Sequence, residues 1–149
     1  MPYKSILSGL IISSMIILIF SFSLQDAPTS NALSTNVTES LIHLTQPILD
    51  SSSLTLSSIN SIVRDLGHFT LFFLLGFITL LAFLYQGLSF KQSAWTTLIL
   101  GLCIAFIDEC LQLTSPGRAF ELIDLGKDIL GLCTSITLLF TLVVWNRNT

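Results

Sequence analysis

The feature that most constrains this chain is a membrane-type apolar run that ends in charge. Residues 94–107 are almost wholly apolar and lead directly into Asp108, Glu109 and Gln112, in the stretch AFIDECLQL. At 1.5 Å of rise per residue Asp108 stands ~21 Å from Ala94, short of the ~30 Å thickness of a hydrocarbon core. Ionisable groups at such a depth are costly. They face a protein interior or a wet cavity, and by default they mark a functional site.

Composition limits the rest. Of 149 residues, 52% are hydrophobic and only 10% charged, whereas soluble domains carry about 25% charged residues. The length suits one domain, residues 1–149, and four apolar segments can be counted: residues 6–22, 66–85, 94–113 and 125–145. No alternation of the barrel type occurs, which leaves helices as the spanning element. The expected fold is all-α, an integral membrane four-helix up-and-down bundle with a long, partly helical first extracytoplasmic loop over residues 26–63. The first segment reads as an uncleaved helix, because it is longer than a signal-peptide core and SLQDAP lacks a small-residue cleavage site. Cys103, Cys110 and Cys133 are odd in number and form no CxxC, so they read as small buried hydrophobes rather than a disulfide framework.

Charge placement sets the expected orientation. Lys4, Lys91 and Arg147 flank one end of the bundle, free of acidic neighbours. All nine acidic residues lie towards the other end, with Arg64, Arg118 and Lys127. Counting Lys and Arg alone gives a tie under the positive-inside rule. Each of the latter three has an acidic residue within four positions, so local pairing is expected to cancel it. The N- and C-termini are therefore expected on the cytoplasmic side, with Trp95 and Trp145 as interfacial anchors there. The acids and bases then collect at the outer end, and the other end is bland.

Within the long loop, Val37, Leu41, Leu44 and Ile48 recur at helical spacing, and Asn36 with Glu39 reads as a helix start. Pro47 and the serines at 51–53 break that pattern, and Ile59, Val63 and Leu66 suggest a short helix leading into the second span. Such a connection is expected on the membrane surface or over the outer end of the bundle. Asn36-Val37-Thr38 matches a glycosylation triplet that is common by chance.

Several residues compose the candidate site. Asp108 and Gln112 share a helix face, and Glu109 is turned from it by about 100°, so at least one carboxylate points inward. Pro116-Gly117 is a tight-turn dipeptide that would aim Arg118 back over the helix end. Asp124 and Asp128 form an acidic stripe, Arg64 and His68 a basic one, each pair four apart. Gln25 closes the first span. Glycines 67, 76, 101, 126 and 131 would allow close helix approach. These residues could form a ligand pocket, or only an ion-pair network closing the bundle. A metal site on His68 with Asp and Glu ligands is chemically possible, but no HExxH-type spacing supports it, so neither metal nor cofactor is expected. No Ser-His-Asp order, phosphate loop or nucleic-acid patch is present.

Taken together, these residues resemble the VanZ-like family of small membrane proteins. The resemblance rests on Ser23-x-Gln25, on Arg64, His68-Phe69 and Leu75-Gly76, and above all on Asp108-Glu109-x-x-Gln112, Pro116-Gly117-Arg118, and Asp124 with Gly131 seven later. It runs from the first span to the fourth. Two positions depart from the family pattern: Asp128 stands where Asn is usual and Phe72 where Tyr is common. The resemblance implies a bacterial cell-envelope role at the outer leaflet, in a family whose name-giving member is associated with resistance to the glycopeptide teicoplanin.

Three functions are compatible with this reading. The first is a pocket for an amphiphile, such as a membrane lipid, a lipid-linked wall precursor or a lipoglycopeptide, with Arg64 and Arg118 on its anionic groups. The second is an intramembrane enzyme on a lipid-linked substrate, with Asp108 or Glu109 as acid or base. The third is a structural protein that assembles with unidentified envelope partners.

Overall fold

In a computed structural model, described for residues 2–45 and 56–148, the chain is all-helical. Its five helices are α1 (Pro2–Ser23), α2 (Ala27–Thr45), α3 (Leu56–Tyr85), α4 (Phe90–Gln112) and α5 (Leu122–Asn148). α1, α3, α4 and α5 are each long and apolar enough to cross a membrane. The outward surface agrees with that reading: Leu10 is 62% exposed, Ile17 68%, Ile99 59% and Leu130 60%. Aliphatic side chains in such numbers on an outer face suit lipid, not water.

The C-terminal ends of α1 and α4 meet, and the N-terminal ends of α3 and α5 meet them there. The four long helices thus run up and down as expected. Met15, Ile19, Phe72, Leu75, Ile104, Ala105 and Leu132 form the apolar core. α3 packs most extensively on α5, because Gly131 lets the two backbones touch. A Cβ at 131 would lie 2.4 Å from the Phe69 carbonyl oxygen and 2.9 Å from the Phe73 amide nitrogen. Gly76 and Gly101 also sit at helix contacts, against Ser135 and Leu132. Gly67 and Gly126, expected in the same role, have nothing within 4 Å of a built Cβ.

The helix boundaries differ from the sequence reading in instructive ways. α4 begins at Phe90, not Ala94, because Ser89 and Gln92 form a reciprocal capping box within residues 86–93, between the second and third apolar segments. α2 begins at Ala27, nine residues before Asn36, because Asp26 caps it by accepting the Thr29 amide at 2.9 Å. Hydrogen bonds from the Thr29 hydroxyl and amide hold the Asp26 carboxyl below its usual range. Asn36 and Glu39 are therefore mid-helix and exposed. The short helix expected before the second span is continuous with it, giving α3 its 30 residues. Pro47 and the serines at 51–53 lie outside the described residues.

Candidate functional site

The inward faces of α3, α4 and α5 converge at one end on a set of polar side chains shielded from the surroundings. Asp108 is 2% exposed, Glu109 0%, Gln112 2%, Asp124 3% and Asp128 0%. Both carboxylates of the Asp108-Glu109 pair point inward, and Gln112 reconciles them. Its amide donates to Asp108 Oδ2 at 3.2 Å and to Glu109 Oε1 at 3.1 Å. Ser23 donates its hydroxyl to Asp108 Oδ1, and the Glu121 amide donates to Glu109 Oε2 at 2.8 Å. Buried carboxylates persist where such donors replace water.

The α3–α5 side is held by charge. His68 Nδ1 is 3.1 Å from Asp128 Oδ1, and its Nε2 is 3.7 Å from Asp124 Oδ2. Lys127 Nζ lies 2.5 Å from Asp65 Oδ1 and 2.6 Å from Asp124 Oδ1. Asp65 and Lys127 were missed as site residues. The i,i+3 spacing of Asp124 and Lys127 was a usable signal, whereas only the fold brings Asp65 to them.

Arg118 behaves differently from expectation. The Pro116-Gly117 turn, with Gly117 at φ +76°, does send it back over α4. Yet its Nη2 meets Gln112 Oε1 at 3.0 Å and its Nη1 meets the Phe22 carbonyl at 3.2 Å, so among the described residues it pairs with no acid. It ties the C-terminal ends of α1 and α4 together, as does Ser115, whose hydroxyl donates to the Ser23 carbonyl at 3.0 Å. Arg64 is exposed, and Asp65 beside it pairs with Lys127 instead. Of the three basic residues expected to be neutralised locally, only Lys127 is. Arg64 and Arg118 thus remain positive charges at the polar end that no acid cancels among the described residues.

A cavity of about 450 Å³ opens beside this cluster, between α1, α2 and α3. Ile19, Phe22, Leu33, Val37, Val63 and Leu71 make its apolar wall, and Gln25, Arg64, His68, Asp108 and Arg118 are its polar lining. That volume falls in the usual range for small-molecule sites. The cavity thus gathers five of the nine expected residues. Glu109, Gln112, Asp124 and Asp128 stand behind them as buried partners. Phe72, where the family pattern commonly has Tyr, is 1% exposed and belongs to both the core and the cavity wall.

The sequence reading rejected a metal site for want of linear spacing. That criterion does not suit this fold, since His68, Asp108, Glu109 and Asp128 come from three helices and still bring ligand atoms within 4.8 Å of one another.

The family model described as VanZ/LLP1 matches residues 9–144. Neither the curated proteins nor the solved structures contain a match to this chain.

Proposed function

The chain belongs to the VanZ/LLP1 family and is a multi-pass membrane protein, and from that premise we propose that it binds an amphiphile with an anionic head group at its polar end. One observation carries the reading: the cavity joins an apolar wall to a polar lining that grades from exposed Arg64, through half-buried Arg118 and His68, to buried Asp108. An acyl or prenyl chain fits the wall, while guanidinium groups suit a phosphate or carboxylate. A lipid-linked wall precursor and an acylated glycopeptide such as teicoplanin both have this chemistry. In this reading the polar end faces the outer leaflet of a bacterial cytoplasmic membrane, and both termini face the cytoplasm.

The test uses Arg64→Glu, because Arg64 is exposed and has no partner to lose among the described residues. Cells producing the wild-type protein are expected to differ from cells without it in teicoplanin susceptibility. Arg64→Glu should abolish that difference at equal protein abundance. An unchanged difference would remove the pocket from the account.

A second reading, an intramembrane enzyme acting on a lipid-linked substrate, is favoured by the presence of both His68 and Asp108 in the cavity lining. Groups that can carry a proton then reach whatever occupies it. Turnover of a lipid-linked substrate by purified protein, lost in Asp108→Asn, supports this reading. Inactivity across such substrates counts against it.

A further inference from the structure

We infer that His68, Asp108, Glu109 and Asp128 bind one divalent cation. The first ground is charge. Three carboxylates, each no more than 2% exposed, face one imidazole. The nearby cations are committed elsewhere, Lys127 to Asp65 and Asp124 and Arg118 to Gln112 and the Phe22 carbonyl. Buried carboxylates lacking a counter-charge are costly, and a divalent ion offsets two of the three.

The second ground is an orphaned acceptor. Asp128 is fully buried, yet its Oδ2 has no hydrogen-bond partner among the described residues. The oxygens of Asp108 and Glu109, by contrast, each accept one bond from Ser23, Gln112 or the Glu121 amide. Those bonds orient the carboxylates and leave lone pairs free, as partners behind metal ligands do.

The third ground is size. Two ligands on opposite sides of one ion stand about twice the metal–oxygen distance apart, roughly 4–5 Å. All four ligand atoms lie within 4.8 Å of one another. Three oxygens and one imidazole nitrogen suit a hard or borderline ion such as Mg²⁺, Mn²⁺ or Zn²⁺. His68 and Asp108 also line the cavity, so an anionic group entering it would reach an open coordination position of the ion.

The experiment is a Mn²⁺ titration of chelator-stripped, full-length protein in detergent, read by electron paramagnetic resonance. Wild type should bind about one Mn²⁺ per chain with a nitrogen coupling from His68. Asp128→Asn is nearly isosteric and installs the residue usual in the resembling family. It should weaken binding by more than the roughly 10- to 100-fold that loss of an outer partner costs. Asp65→Asn, which removes a nearby charge but no ligand, should leave the affinity within a few-fold of wild type. Should Asp128→Asn fail to fold, the wild-type stoichiometry and nitrogen coupling still decide. Lack of a saturable site below ~1 mM, saturation without nitrogen coupling, or equal weakening in both variants overturns the inference. Farnesyl phosphate added to the same samples separates this site from the amphiphile reading. If the phosphate does not bind while Mn²⁺ does, the amphiphile pocket fails and the metal site stands.

Discussion

The two ends of the bundle solve the problem of buried polarity in opposite ways. At one end, buried acids meet a part-buried imidazole and lysine, and all but Asp128 Oδ2 find named partners from several helices. At the other, Thr79, Ser93 and Thr97 are buried, and their hydroxyls have no hydrogen-bond partner among the described residues. That end was expected to be bland. Among the described residues its core carries no charge, but it is not purely apolar: small hydroxyls stand where they let helices approach. The second cavity makes the same contrast. It lies between α1 and α3 near Leu7, Ile11, Ile78 and Tyr85, and at about 670 Å³ it is larger than the one beside the charges, yet no ionisable group other than Tyr85 lines it. Apolar space between membrane helices is common. What distinguishes the polar end is the charge that lines its cavity.

The contrast can be broken experimentally, beginning with the change of largest effect. Lys127→Met leaves Asp124, which is 3% exposed, facing His68 alone. Loss of one partner from a buried pair should lower stability by about 3 kcal/mol or more, read as a fall in the thermal midpoint in detergent. A loss below about 1 kcal/mol would show that this end is wet and its charges screened. Next is Gly131→Ala against Gly76→Ala. At 131 the new methyl meets α3 backbone, whereas at 76 it meets the Ser135 hydroxyl and the Leu132 side chain. Gly131→Ala should cost about 3 kcal/mol and Gly76→Ala about 1 kcal/mol, since side chains can move aside and a packed backbone cannot. Equal costs would mean that α3 and α5 can slide apart. The smallest effect is expected for Gly126→Ala, where nothing lies within 4 Å. It should stabilise by up to about 1 kcal/mol through helix propensity alone.

Much of this was legible in the sequence, for reasons particular residues make plain. The four spans were readable because long apolar runs have few alternatives in lipid. The inward placement of Asp108, Glu109 and Gln112 was readable because charge in such a run needs a reason. Asn36 misled because a capping pattern in sequence is also an ordinary stretch of mid-helix surface, and Asp26 had already started the helix. Arg118 misled because proximity in sequence to Glu121 says nothing about the carbonyl of Phe22, 96 positions away. Asp65 was invisible for the same reason, and a metal site on His68 with acidic ligands could be named but not supported. In both cases the partners come from different helices, and no spacing along one chain segment encodes a distance across a bundle.

One consequence of the backbone contact at Gly131 reaches into the charged cluster. His68 precedes Phe69 directly, and Asp128 stands one helical turn before Gly131. The gap separating imidazole from carboxylate is consequently gauged by a single hydrogen atom, where any other residue would insert carbon. That glycine acts as a calliper, and a chain that lost it would keep every ionisable side chain while drawing His68 away from Asp124 and Asp128.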